Sequence, residues 1–480
     1  MNHRIILRIL SRVCLAEAAL LLLTAVIALC YGDAVLLPYG VPIALLLALF
    51  FLFGLAKPRS HVFFAREGFV AVSLSWVLMS ALGALPFCLS GAIPSYVDSF
   101  FETVSGFTTT GATVLSDVES MPKGLLFWRS FTHWVGGMGV LVFLMAIIPL
   151  AGDRSIHLMR AESPGPSVGK LAPRLRSTAV ILYGIYIAMT LLLVVLLFAG
   201  GMSLFDSLTH AFATAGTGGF SVRNAGIIAY NSPYIEGVLT AFMLLFAVNF
   251  SLYHLLLLRR FRDVLRSEEL RWFVGVFVIS SAAMVLDILP KTSGVGEAVR
   301  LATFQSASIM STTGFATADF NLWPGFSQTV ILLLMIIGSC AGSTGGGFKI
   351  SRLVILLKSI RRELDRMLHP RSMGRISFEG KSVGTEVTHG VLVYLAVYVV
   401  LVIFGALVLS VNEFDVQTTL SSVLTSLNNV GPGLGRVGPM ENFSLYAPFS
   451  KLWLSLYMLI GRLEIFPILM LFSPTVWRKR

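Results

Sequence analysis

The sequence predicts an all-α polytopic membrane protein. Four copies of one unit, each a span, a re-entrant half-helix and a second span, surround a pseudo-fourfold central pathway, preceded by an N-terminal helical hairpin. Three observations carry this reading. The 480 residues are 56% hydrophobic and only 13% charged, more apolar and far less charged than a soluble globule. A five-residue phrase, one apolar residue, three small or polar residues and then Gly, stands at 107–111, 212–216, 310–314 and 427–431. It recurs about every hundred residues, the mark of an internal repeat. The basic residues, finally, fall almost all on one side of the resulting layout.

In chain order, Arg4, Arg8 and Arg12 precede an apolar run at 13–31, and a second run follows at 37–55. A cleaved signal peptide would need a small-residue processing site after a shorter run, so a retained hairpin is expected over 1–66. Glu17 is the only carboxyl in the first run and receives no role. Repeat one (67–153) has spans at 68–89 and 125–150, and repeat two (154–268) at 178–198 and 234–258. Repeat three (269–365) has them at 272–289 and 326–357, and repeat four (366–480) at 384–409 and 449–472. Most reach the ~20 residues that cross a ~30 Å hydrocarbon core, giving ten expected crossings. Cys14, Cys30, Cys88 and Cys340 lie in or beside apolar segments without metal-ligand spacing.

Assigning alternate loops to alternate sides places 28 of the 36 Lys and Arg on one side and 7 on the other, with Arg462 left inside a span. The positive-inside rule then puts both termini in the cytoplasm and the four Gly phrases on the outer side. The net charge of +11 is thereby explained as topology, and nucleic acid is excluded as its cause. The largest inner basic segment, 349–381, includes Arg361, Arg362 and Arg366 and is expected either to dock an acidic or polar partner or to be a solvated loop.

Each Gly phrase ends a stretch too short and too polar to span: 96–107, 203–212, 297–310 and 414–427. Irregular backbone at membrane depth survives only where it is buried in protein or lines a watery cavity. Four such turns in register point to an ion pore with backbone carbonyls replacing the water shell of a cation. Glycine supplies the backbone freedom for successive carbonyls to face one way, and helix C-termini aimed at the ion add partial negative charge. The candidate filter residues are Thr109, Thr110 and Gly111; Thr214, Ala215 and Gly216; Thr312, Thr313 and Gly314; and Asn429, Val430 and Gly431. Ordinary Thr/Gly loops between helices are the alternative, and fourfold recurrence argues against it.

Three further stretches depart from a plain span. Residues 129–139 carry Arg129, His133 and Gly136, Gly137 and Gly139; close helix packing accounts for the glycines, and His133 is read as hydrogen-bonded filling rather than a ligand. Residues 338–349 include Gly338, Gly342, Ser343, Thr344, Gly345, Gly346, Gly347 and Lys349. Phe348 separates the last glycine from the lysine, so the run is no phosphate-binding loop. Glycine's ~1 kcal/mol helix penalty per position makes it a broken span, expected to cross the pathway beneath the filter as a gate. In 461–467, Arg462 and Glu464 are two apart and do not share a helix face, and an arginine at membrane depth needs water or a partner. Arg462 is therefore expected to point into the pathway and to belong to the gate.

With these marks in place, the four Gly turns, the 129–139 stretch, the Gly-rich run and Gly-Arg-Leu-Glu-Ile-Phe-Pro at 461–467, the chain resembles the TrkH branch of the Trk/Ktr/HKT potassium-transporter superfamily over essentially its whole length. The leading hairpin is similar to that of the bacterial TrkH type. The resemblance implies potassium uptake through a gated, channel-like filter in a bacterial inner membrane, with K+ as bound substrate at the filter residues and no organic cofactor in this chain. It also implies a homodimer and a cytosolic TrkA-like regulatory ring that binds NAD or ATP. Glycine in the first repeat, where sodium-selective members tend to have serine, favours potassium over sodium. The alternative is a secondary transporter, a symport of potassium with protons or sodium. That class would show inverted repeats and an ionisable relay, whereas these repeats all begin inside. No nucleophile–base pair or metal-ligand cluster points to an enzyme.

Overall fold

The computed structural model describes residues 1–56, 65–139, 175–370 and 374–477. The first span of every repeat is long and apolar: Arg66–Leu89, Ala179–Ala199, Glu268–Lys291 and Thr385–Asn412, of 24, 21, 24 and 28 residues. With the hairpin helices His3–Cys30 and Leu36–Gly54, six helices among the described residues can cross a bilayer. The hairpin turns at Gly32, whose φ of 76° is left-handed. Asp33 then accepts a hydrogen bond from the Gly124 amide at 2.7 Å, which ties the hairpin to repeat one. Leu22, Leu23, Val26 and Leu29 on its other face are exposed, as befits a surface in lipid. All four cysteines are free thiols.

Between the spans lie four half-helices: Tyr96–Phe107, Leu204–Ala215, Val295–Met310 and Val416–Asn428. Their starts are written in the sequence. Ser95, Ser203 and Asp415 accept hydrogen bonds from the amides of Asp98, Asp206 and Thr418, satisfying donors that a helix N-terminus leaves open. At 12 to 16 residues and 1.5 Å per residue, none can cross the membrane. Their buried faces are Ser- and Thr-rich, and their C-termini converge.

The second spans differ from expectation. That of repeat one begins as Lys123–Gly137, and its expected continuation from 140 to 150 lies outside the described residues, as do Arg154 and the rest of the segment up to 174. The expected continuous spans 234–258 and 449–472 are both broken. Pro233–Ala247 and Phe250–Leu257 meet at 93°, and Asn249 caps the second piece through the Ser251 amide at 2.9 Å. Pro448–Arg462 stops before Phe466–Leu471. There Glu464 and Ile465 take φ of 54° and 70°, and the Phe466 amide bonds Glu464 O at 2.8 Å. This three-residue turn is rare and strained, the more so with β-branched Ile465 at its centre. Repeat three is also broken, into Gly325–Ile337, a loop, and Ile350–Leu368. The last helix runs on to a two-stranded antiparallel hairpin pairing Ser377 with Ser382 and Phe378 with Lys381.

Candidate ion pathway

The four half-helices end in one repeated backbone figure. The residue before each key glycine turns its amide back onto the half-helix: Thr110 N to Ser105 O at 2.9 Å, Gly218 N to Ala213 O at 2.8 Å, Thr313 N to Ser308 O at 2.8 Å and Val430 N to Thr425 O at 3.0 Å. Around it sit two left-handed residues, Thr109 and Gly111, Thr217 and Gly219, Thr312 and Gly314, Asn429 and Gly431.

The second repeat corrects the sequence reading. Thr214 and Ala215 belong to the half-helix, and Gly216 closes it with an ordinary φ of −71°; the glycine in register with Gly111, Gly314 and Gly431 is Gly219. The phrase repeats as Thr109-Thr110-Gly111, Thr217-Gly218-Gly219, Thr312-Thr313-Gly314 and Asn429-Val430-Gly431. Three glycines in four residues hid the register, because Thr214 stands two places before Gly216 as Thr217 does before Gly219.

These turns close on one another. A side chain added at Gly111 would run into Gly218 O, at Gly219 into Thr313 O, at Gly314 into Val430 O, and at Gly431 into Thr110 O. Glycines and carbonyls thus alternate around one ring joining all four repeats, and any other residue at these glycines is opposed both by φ and by the neighbouring carbonyl. Outside the ring opens a vestibule of about 170 Å³, bounded by the four glycines and including Arg223 and Glu441 on its walls.

Behind repeats one and two the support is charged and aromatic. Arg129 and Glu102, both buried, pair at 2.6 Å. Glu102 also accepts from Thr113 Oγ1 at 2.9 Å and Val114 N at 3.0 Å. Arg129 donates to Ser221 O at 2.9 Å and lies 3.5 Å from the centre of the Phe220 ring. His133 Nδ1 donates to Gly106 O at 2.7 Å, and its Nε2 accepts from Phe220 N at 3.3 Å.

Beneath repeats three and four lies the Gly-rich loop. Gly346 N donates to Thr312 Oγ1 at 2.7 Å, and a side chain there would meet Asn428 O. Gly338, Gly342 and Gly347 take left-handed φ of 67°, 70° and 82°. Lys349 Nζ bonds Gly345 O and Ser339 Oγ, the latter at 3.2 Å, and Ser343 Oγ bonds Cys340 O at 2.7 Å. The loop also docks into the bend of repeat two: Cys340 N donates to Ala247 O at 3.1 Å, Phe250 N to Gly342 O at 3.0 Å, and Thr344 Oγ1 to Phe246 O at 3.1 Å. Glu269, which the sequence reading missed, accepts from Ala341 N at 2.7 Å.

Arg462 ties three repeats together. Its Nη1 donates to Thr344 O at 2.7 Å, and its Nη2 donates to Gly136 O and to Gly137 O, the latter at 3.2 Å. One guanidinium on repeat four so bridges the loop of repeat three and the second span of repeat one. Glu464 does not pair with it; Glu464 forms an ion pair with Arg352.

Four re-entrant repeats closed by a ring of carbonyls define a multi-pass membrane protein of the ion-transporting class. Residues 44–479 match the TrkH family of cation transport proteins. The chain is similar to the Trk system potassium uptake protein TrkH of Escherichia coli strain K12, 38% identical over 420 residues and 86% of each chain. It is also similar to TrkH of Vibrio parahaemolyticus, 35% identical over 486 residues and 100% of each chain. The crystal structure of the potassium transporter TrkH from Vibrio parahaemolyticus superposes with a TM-score of 0.89 at 33% identity, over 100% of both chains. The chain belongs to the TrkH family, and is a transporter rather than an enzyme.

Proposed function

We propose that this chain carries potassium into the cell across a bacterial inner membrane, through a gated, channel-like filter. The observation that carries this is the closed ring in which Thr110, Gly218, Thr313 and Val430 present carbonyls beside the glycines of the neighbouring repeats. Such oxygens replace the hydration shell of an alkali cation, and the half-helix C-termini behind them favour positive charge. The family's curated relatives are called potassium uptake proteins, and the same substrate is the natural reading here. In this reading the filter faces outward, both termini are cytoplasmic, and two copies pair. A cytosolic nucleotide-binding ring of TrkA type regulates the pore through the inner basic segment.

Arg462 and the 338–347 loop form the barrier. A guanidinium stays protonated at any physiological pH. At ~5 Å and an effective dielectric of ~20, its repulsion of a dehydrated monovalent cation is ~3 kcal/mol, worth about two orders of magnitude in rate. Opening then requires Arg462 to leave Thr344 O and the loop to leave Thr312. Arg462→Ala should raise potassium flux up to about a hundredfold with little change in the potassium-to-sodium ratio and with folded protein recovered. A folded variant with unchanged or lower flux would sink the gate. Reversal potentials in liposomes, with and without a proton gradient, test the channel reading itself: the potential should follow the potassium gradient alone, and a shift with the proton gradient would establish coupled symport.

A further inference from the structure

Two places before the ring glycine, three repeats carry threonine and the fourth carries Asn429. Among the described residues none of the three hydroxyls leaves its own repeat. Thr109 Oγ1 is buried without a partner, Thr217 Oγ1 donates to Gly216 O at 2.6 Å, and Thr312 Oγ1 takes the Gly346 amide of the loop below. Asn429 reaches across. Its Nδ2 donates to Thr110 Oγ1 of repeat one at 3.0 Å and to Met458 O, on Pro448–Arg462, at 2.9 Å. Among the described residues, the bond to Thr110 is the one side-chain hydrogen bond that joins two ring turns directly.

These bonds have a fixed direction. The Met458 carbonyl can only accept, so the amide turns its nitrogen that way and spends both N–H hydrogens on Met458 and Thr110. Thr110 Oγ1, accepting from Asn429, passes its own hydrogen to Thr108 Oγ1 at 2.8 Å, and Thr108 donates to Val104 O at 2.7 Å. A line of donors so runs from repeat four through the seam into the half-helix of repeat one, and Asn429, Thr110 and Thr108 are all buried. Thr313 makes the matching hydroxyl pair, with Ser311 at 2.7 Å, but among the described residues no neighbouring repeat donates to it. Asn429 Oδ1 is buried without a partner among the described residues. An unpaired buried oxygen is costly, so packing alone gives no reason for an amide here. The two donated bonds do.

We propose that Asn429 acts through its side chain as a selectivity-determining clasp. It holds Thr110, whose carbonyl a side chain on Gly431 would meet at 2.6 Å, at the seam between repeats one and four, and it anchors that seam on the helix that carries Arg462. Slack at this seam lets the carbonyl ring contract on a smaller cation, which lowers the preference for potassium over sodium. The proposal rests on the ring being the selectivity filter.

Potassium-to-sodium permeability ratios of the full chain in liposomes, beside thermal unfolding of the same preparations, test it. Thr110→Val keeps the branched shape and loses the acceptor, while Asn429→Gly keeps the left-handed turn and loses the amide. Each should lower the ratio about fivefold, the scale of one or two net hydrogen bonds. The double variant should be no worse than the poorer single one, because both break the same bond. Thr313→Val, which breaks a hydroxyl pair that has no clasp, should lower the ratio by less than about twofold. Losses that multiply in the double variant, or an equal loss in Thr313→Val, would overturn the clasp. So would lowered unfolding temperatures with unchanged ratios, the mark of a merely structural contact. If Asn429→Gly does not fold, Thr110→Val against Thr313→Val decides alone. An unchanged ratio in Thr110→Val beside a lowered one in Gly314→Ser refutes the clasp and leaves the filter standing; unchanged ratios in both refute the filter and the clasp with it.

Discussion

Glu102, His210, Gln305 and Ser422 occupy the same place in the four repeats, each nine residues before its ring glycine, yet they are held in very different ways. Glu102 is locked by Arg129, Thr113 and Val114. His210 Nε2 reaches Ser221 Oγ at 3.0 Å. Among the described residues Ser422 takes only the Tyr446 hydroxyl, at 2.7 Å, besides its own helix. Both amide atoms of Gln305 are buried without a partner among the described residues. At this position repeats one and two are held by charge or by an imidazole, while the amide of repeat three has no partner among the described residues and its turn meets the Gly-rich loop from below. The same backbone turn is produced four times, but the Gly-rich loop lies under those of repeats three and four, where Gly346 meets Thr312 and Asn428. In the proposed gate the loop withdraws from beneath repeats three and four while repeats one and two keep the carbonyls in place.

The sharpest break of this comparison is energetic. Glu102→Ala strips a buried ion pair and leaves Arg129 unpaired, which costs ~3–5 kcal/mol. Gln305→Leu removes a buried amide that has no partner to lose, so it should be neutral or stabilising, by up to the ~1–3 kcal/mol that burying such a group costs. Thermal unfolding of the two variants in the same detergent reads this directly. Equal losses in both would mean that the two sides of the ring are equally braced.

A smaller effect falls on the ring itself. Gly219→Ala forces a side chain into a left-handed turn, at ~1–3 kcal/mol, and against Thr313 O. The potassium-to-sodium permeability ratio should fall at least about tenfold, the equivalent of ~1.4 kcal/mol, as it should for Gly111→Ser and Gly314→Ser. An unchanged ratio in Gly219→Ala beside a lowered one in Gly111→Ser would remove repeat two from the filter.

That prediction depends on a register which the sequence did not yield unaided, and the reason is physical. The recurrence of the turns, the half-helices and the loop at 338–349 are local properties of glycine spacing and polarity, readable from a few adjacent residues. In repeat two, Gly216, Gly218 and Gly219 all permit the turn, and which one takes it is settled by contacts with His133 and Thr313, far away in the chain. The bend at Asn249 is invisible for the same reason, since the freed Ala247 carbonyl and Phe250 amide find their partners in Cys340 and Gly342. Glu464, two residues from Arg462 in sequence, pairs instead with Arg352 on another helix.

The finest test concerns His133, first read as filling. Gly106 offers a carbonyl, which can only accept, and Phe220 an amide, which can only donate, so the ring must carry its proton on Nδ1 and keep Nε2 bare. In that form it straps the end of the first half-helix to the residue after Gly219, and its ring lies against Gly218 so closely that a side chain there would overlap it. His133→Phe keeps the ring and loses both bonds, each worth ~1 kcal/mol. His133→Gln can restore one acceptor and one donor on a similar reach. If the strap positions the filter, the phenylalanine variant should lose selectivity by roughly fivefold to tenfold, as one or two such bonds allow, and the glutamine variant should recover part of it at comparable thermal stability. A role limited to packing predicts the reverse, with His133→Phe indistinguishable in selectivity and His133→Gln the less stable of the two.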